Sequence, residues 1–502
     1  MSRLRKQRND IAHVQQANGA LSHSNGFYDN NGDAHAQKAN DTSLLSNGFH
    51  DNNKEATKTD ETTGIVHMID FLLNKFVLPI CMIIFLPIIS IFLWYTNTHC
   101  EGSFKILYSR VQDGSSFGLL AQILGNMSIF NKFTCSVVFG YFAWALFWMK
   151  VLPGKTVNGP MTAMGNIPVY KNNGFLHYGV TMVGFAILTL VLKQYGLSPT
   201  IVYDRFGELL VFINVFALVF VLFLCLKGLY FPSSSDSGKT GHGFIFDYYW
   251  GTELYPRILG IDIKVLTNCR FGMTIWPLLV CTYALKSYEL HGFVDSMFVT
   301  TVLQLIYITK FFSWEAGYMH TMDIIVDRAG WYICWGCLSW LPEIYPLVSQ
   351  YLKANPVRLG WPLAFTILVL GLAFILINYQ ADLQRQQVRS ADGQCLVWGL
   401  KPEIIRAKYM NDGGQENESI LLASGWWGVS RHFHYMPEIL LSFSWTAPVG
   451  FVNLLPYSYV IYLIILLVHR SFRDENKCRR KYGRYWQEYC EKVPYKIVPF
   501  IF

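Results

Sequence analysis

Long apolar runs that recur along this chain restrict its fold more than any other feature. Residues 76–95, 133–150, 174–193, 208–230, 270–286, 293–312, 361–379 and 452–469 are each close to bilayer length. A spanning helix needs about 20 mostly apolar residues, and lipid leaves the backbone no partner but itself. Two weaker segments, 330–352 and 426–447, are apolar but broken by charge and proline. Counting both, the expectation is an all-α, polytopic membrane protein of about ten transmembrane helices. Composition agrees, with 52% hydrophobic, 16% aromatic and only 15% charged residues among 502, against about 25% charged in ordinary soluble domains.

Residues 1–64 are polar and rich in Asn, Asp, His and Ser. They bury too little apolar surface to offset the entropy of ordering, and read as a disordered tail. The basic start MSRLRKQRND is followed by no apolar h-region, so no cleavable signal peptide is expected and the first run acts as an uncleaved anchor. Residues 65–502 then form one membrane domain. The net charge of +7 suits basic loops against an anionic membrane surface, with no nucleic acid as partner. The 11 cysteines, several inside apolar runs, read as small buried hydrophobes rather than a disulfide framework.

No GxGxxG, Walker lysine loop or HExxH is present, so loops and helix ends must hold any nucleotide. Three clusters qualify. Arg385 and Arg389 leave the 361–379 run four residues apart, on one helix face. WGVSRHFHY contains Trp427, Arg431, His432, His434 and Tyr435. The C-terminal strip HRSFRDENKCRRKYGRYWQEYCEKVPYK supplies Arg473, Asp474, Lys477, Arg479, Arg480, Lys481, Tyr482, Arg484 and Tyr489. Guanidinium pairs suit phosphates, aromatic faces suit flat rings, and an acid can accept from a ribose hydroxyl. Packing at the membrane surface is the bland alternative for each cluster. His432 and His434 have no third ligand nearby, so no metal is expected.

Acids in apolar surroundings form another group: Glu315, Asp323 and Asp327 in FFSWEAGYMHTMDIIVDRAGW, and Glu343 in WLPEIYP. Burial disfavours the charged carboxylate, which makes such groups candidate proton donors. Hydrogen bonding between helices is their alternative role.

LLPYSYVIYLIILLVHRSFRDENKCRRKYGRYWQEYCEKVPYKIVPFIF and ASGWWGVSRHFHYMPEIL closely resemble the C-terminal signature of the sterol reductases of the Δ14/Δ7/Δ24(28) superfamily. GTELYPRILGIDIK, VLQLIYITKFF, HTMDIIVDRAGWYICWG and DGQCLVWGLKPE extend the likeness, from about residue 75 to the C-terminus. The resemblance implies a multi-pass endoplasmic-reticulum enzyme that reduces a sterol double bond with NADPH, the C7=C8 bond of 7-dehydrocholesterol-type sterols being the first reading. Its partners would be a sterol within the membrane, the bilayer and other membrane enzymes of sterol synthesis. Carried over residue by residue, the cofactor contacts would be Arg385, Arg389, Leu422, Trp427, His434, Tyr435, Asp474, Cys478, Arg479, Arg480, Lys481, Tyr482 and Tyr489. Residues 361–502 would then form the NADPH pocket.

An isolated ring alkene accepts no hydride until a proton arrives with it, so the site needs an acid in a dry pocket. Burial and resemblance together nominate Glu315, Tyr318 and Asp323 for that path, with Asp327 in support. The chain departs from the family pattern at Asp382, Cys337, Glu343, Val348 and Trp314-Glu315-Ala316-Gly317, mostly in the expected sterol pocket. A Δ14 or Δ24(28) reductase, a sterol-binding protein and a sterol-epoxide hydrolase are the alternatives. A transporter lacks the inverted repeat it would need.

Overall fold

The computed structural model describes residues 71–162, 164–410 and 416–502. The expected disordered tail at 1–64 lies outside the described residues. Within them the chain is a helical bundle, and seven helices are long and apolar enough to cross a membrane. In chain order, α1 (Leu73–His99), α2 (Lys132–Val151), α3 (Gly174–Gln194) and α4 (Phe206–Tyr230) come first. The next helix, α5 (Met273–His291), carries Lys286 and Glu289 and is not among the seven. It is followed by α6 (Asp295–Ser313) and α7 (Trp361–Ser390), then the short α8 (Trp426–Val429) and α9 (Tyr435–Thr446). The chain ends with α10 (Leu455–Tyr482) and α11 (Arg484–Lys492).

The two weak segments differ from continuous spans. Residues 331–354 form a broken rod: α-helix at Trp331–Trp335, a π-turn at Gly336–Trp340, α-helix at Leu341–Ile344, and a last piece at Leu347–Ala354. Pro342 and Pro346 interrupt the backbone ladder there, and nearly every residue is buried against other helices instead of facing lipid. Residues 426–447 resolve into α8, an irregular turn and the 12-residue α9.

Apolar residues surround the long helices, and between helices lipid supplies no hydrophobic drive. Packing and buried hydrogen bonds hold them instead. Trp276 Nε1 donates to Gln304 Oε1 at 2.7 Å, and Gln304 Nε2 donates to Ser349 Oγ at 3.0 Å. This links α5, α6 and the broken rod. Trp276, Tyr307, Trp445 and Tyr459 interlock around that link with ring centroids 5.4–6.1 Å apart.

Three antiparallel ribbons decorate one end of the otherwise helical fold. They are β1 (Lys155–Asn158) with β2 (Val169–Asn172), β3 (Arg257–Ile258) with β4 (Ile261–Asp262), and β5 (Ile404–Met410) with β6 (Glu416–Leu422). The last pairs Ile404 with Leu422 and packs Ile405, Ala407 and Leu421 against Trp486, Tyr489 and Val493 of the C-terminal segment.

Candidate functional site

The loop after α6, residues 314–330, carries three of the four acids picked out by sequence, and none of its three carboxylates is an isolated acid; the fourth, Glu343, lies buried on the Leu341–Ile344 piece of the broken rod, its carboxylate oxygens without a hydrogen-bond partner. Each of the three in the loop pairs with an arginine: Glu315 with Arg270, Asp323 with Arg470 and Asp327 with Arg473. Arg270 lies on a seven-residue π-turn, Leu266–Gly272, that opens α5. It bonds Glu315 through both guanidinium nitrogens and donates from Nη2 to Asn173 Oδ1 at 2.9 Å. The Gly174 amide adds a bond to Glu315 Oε2 at 2.7 Å. A Cβ at Gly174 would collide with that carboxylate, so glycine is required there. Glu315 thus accepts three hydrogen bonds, two from Arg270 and one from Gly174, which tie the start of the loop to α3 and α5.

Tyr318 differs. It is buried, and its hydroxyl has no hydrogen-bond partner. Its ring lies 5.2 Å from that of Phe311, and Asp323, Cys269, Cys337 and Arg470 lie within electrostatic reach. Burial first, then the neighbouring Asp323, pushes the phenol well above its ordinary range, so it keeps its proton. The loop itself is held by Lys264, whose buried ammonium donates to the carbonyls of Ile324 (2.8 Å) and Asp327 (2.6 Å). Burial lowers the Lys264 pKa to about 8.

The nominated cofactor residues converge from four directions. From α7, Arg385 lies 4.1 Å over the Trp427 ring and 3.4 Å from Asp382. Arg389, one turn on, donates to the Ile420 carbonyl at 3.3 Å, with Tyr482, Cys478 and Tyr489 in electrostatic reach. From the β5–β6 ribbon, Leu422 packs with Val388, Val397 and Trp427. Trp427 is fixed by its indole nitrogen on the Ala381 carbonyl at 2.8 Å. A tight turn at Gly425 (φ +61°) sets α8 against Gln384, which accepts the Trp426 amide at 2.8 Å. Beyond it, the His434 ring lies 5.0 Å from Trp427 and 4.3 Å from Tyr435. From α10, Asp474 lies 3.9 Å from His432 and accepts the Cys478 thiol at 3.8 Å. From α11, Tyr489 donates to the Trp427 carbonyl at 3.3 Å.

Three nominated residues stand apart. Arg479, Arg480 and Lys481 are exposed on the outer side of α10. Arg479 pairs with Glu475, and Lys481 lies over the Tyr409 ring. They can add charge to the rim but do not line the cluster. Among the described residues, no group of three His, Cys, Asp or Glu side chains could hold a metal ion.

Four residues of the buried polar networks escaped the sequence reading. Arg270 and Arg470 stand at the ends of apolar runs, where positive charge looks like ordinary membrane flanking. For Arg470 one signal existed: it lies four residues before Asp474, on the same helical face. Tyr307 and Glu438, from α6 and α9, share a 2.5 Å hydrogen bond in the bundle interior. Beside them Lys310 donates to Asn378 at 2.5 Å, and Asn378 donates to the His434 carbonyl at 2.9 Å.

Fold and site define a multi-pass helical membrane protein whose polar chemistry is gathered at one end of the bundle. Residues 68–502 match the model of the Ergosterol biosynthesis ERG4/ERG24 family. The chain is 48% identical to the 7-dehydrocholesterol reductase of Arabidopsis thaliana over 427 residues, which cover 84% of this chain and 96% of that protein. It is 38% identical to the 7-dehydrocholesterol reductase of Danio rerio (71% of this chain, 75% of the relative). With the Delta(14)-sterol reductase of Methylotuvimicrobium alcaliphilum it shares 37% identity (70% and 79%). The chain belongs to the ERG4/ERG24 family and is a sterol reductase.

Proposed function

We propose that this chain reduces the C7=C8 bond of a 5,7-diene sterol with NADPH, in the endoplasmic reticulum membrane. The observation that carries the reading is the Asp323–Arg470 pair. It joins the loop bearing a protonated, unpartnered Tyr318 to the helix bearing Asp474 and Cys478. In this reading proton-donating and cofactor-binding groups face one chamber. Residues 361–502 form the cofactor module in this reading.

The residues fit NADPH. Arg385 and Arg389 put two guanidinium groups side by side with one acid, Asp382, between them and neutrality. Such an excess of positive charge suits phosphates. Trp427 and Tyr435 offer flat faces, and Asp474 suits a ribose hydroxyl. His432 Nε2 and His434 Nδ1 are buried with no hydrogen-bond partner, as in a site shaped for a polar ligand. NADPH, when bound, supplies a hydride.

The protein has to supply the proton and keep water away. A conjugated diene eases protonation, since the developing cation is allylic. Tyr318 holds the proton at its hydroxyl. Asp323, fixed by Arg470, orients the loop and stabilises positive charge that develops on the sterol. Glu315, three residues before Tyr318, anchors the start of the loop by its pair with Arg270. A second proton path is favoured by the 2.5 Å Tyr307–Glu438 hydrogen bond, which lies one turn of α9 from His434. Comparing Tyr318→Phe with Tyr307→Phe separates the two.

The reading is tested with membranes from a reductase-deficient host expressing the chain, supplied with a 5,7-diene sterol and NADPH. Loss of the diene absorption with a two-hydrogen mass gain supports it. Turnover of an 8,14-diene alone would place the chain with the Δ14 reductases instead.

A further inference from the structure

A second pocket, of about 350 Å³, opens between the β1–β2 and β3–β4 ribbons. Lys150, Lys171 and Arg257 line it together with Tyr170, Asp262 and the hairpin turn at Leu259–Gly260. None of these residues belongs to the cofactor cluster. Three features describe what it could take. First, its basic side chains form no ion pair among the described residues, although Asp262 stands opposite Arg257 in the β3–β4 ribbon: Lys171 donates to the Lys150 carbonyl at 3.0 Å and Arg257 to the Val169 carbonyl at 2.6 Å. Second, two lining side chains, 4% and 7% exposed, each have a polar atom without a partner: the Tyr170 hydroxyl and Asp262 Oδ2. The other Asp262 oxygen is occupied, capping Val265 at 3.0 Å. Third, the pocket lies where the chain meets the membrane surface. The span α2 ends at Val151 and α3 begins at Gly174, while Leu259 is 89% exposed at the tip of its hairpin with φ +51°.

We propose that this pocket binds the phosphorylated polyol headgroup of an anionic phospholipid, of the inositol or glycerol type. The lysines and Arg257 meet the phosphate. Tyr170 and Asp262 meet headgroup hydroxyls, the only groups on such a ligand able to satisfy a buried carboxylate oxygen. Burial raises the Asp262 carboxyl above its ordinary value, which reduces its repulsion of a phosphate. Leu259 and the end of α2 accompany the acyl chains. The proposal does not rest on the sterol reaction.

The experiment is native mass spectrometry of the purified full-length chain, released from micelles doped with phosphatidylinositol or phosphatidylcholine. Wild type is expected to retain phosphatidylinositol preferentially, and equal retention of the two lipids overturns the proposal without any variant. Lys150→Ala/Lys171→Ala should weaken retention roughly 25-fold, about fivefold for each basic side chain at an anionic surface. Lys150→Arg/Lys171→Arg should keep it. Sterol turnover in micelles should stay within about twofold in both, because neither lysine lies in the reductase machinery. Unchanged retention in the alanine variant overturns the site. Free inositol 1-phosphate should compete poorly; if it binds as tightly as the lipid, the membrane source is wrong.

Discussion

Arg470 and Asp323 lie 147 residues apart in the chain and meet as an ion pair about a fifth exposed on each side. The pair fastens the polar extension of the last span to the loop that follows α6. In the proposed site it is the point at which the proton-donating loop and the cofactor-binding helix meet. Asp323→Asn keeps the shape and removes the charge. Turnover should fall about 100-fold, while the KM for NADPH stays within about threefold of wild type. A rise in KM without loss of turnover would assign the pair to cofactor binding.

Tyr318→Phe removes a single oxygen from a packed core. If Tyr318 is the acid, turnover falls about 10²–10⁴-fold with folding intact, and Tyr307→Phe is milder. The reverse order in single-turnover assays would transfer the role to the Tyr307–Glu438 pair.

The alkaline pH profile gives an independent check. Burial and Asp323 raise the Tyr318 pKa, so the donor stays protonated through its ordinary value of about 10. Turnover limited by proton donation should show no alkaline decline between about pH 6 and 9. A limb near neutrality would point to a histidine donor.

Glu315→Gln leaves Arg270 fully buried without its counter-charge. Such a break costs about 3–5 kcal/mol. The variant should show a lower thermal midpoint and poor yield, with near-normal turnover per folded molecule. Gly174→Ala should behave alike, because its methyl group collides with the same carboxylate. Wild-type stability in both would remove the tether role.

Arg385→Ala and Arg389→Ala test the phosphate assignment. Each charge-assisted bond is worth about 1.5–3 kcal/mol, so the KM for NADPH should rise about 10- to 100-fold with little change in kcat. Arg480→Ala, on the exposed side of α10, should have a small effect that fades with salt.

The spans were legible because a 20-residue apolar run has few other fates. That Arg385 and Arg389, or Trp427 with His434 and Tyr435, would come together was legible because they sit close together in sequence. What the sequence hid was long-range or irregular. Nothing local announces that Arg270 will turn into Glu315, since the π-turn aiming it reads as ordinary helix. Pro342 and Pro346 announced the breaks in 331–354, but not where the π-turn at Gly336–Trp340 would fall. The β5–β6 ribbon was not expected, although IIRAKYM alternates in burial.

The central claim is that one hydrogen comes from the nicotinamide and the other from a protein acid in the same chamber. Turnover of a 5,7-diene sterol should be run with NADPH dideuterated at nicotinamide C4, in ordinary water, and then with unlabelled NADPH in deuterated water. The account predicts one deuterium in the product in each case, at adjacent ring carbons. Product without label from the cofactor, or no product from any sterol diene despite bound NADPH, would contradict it.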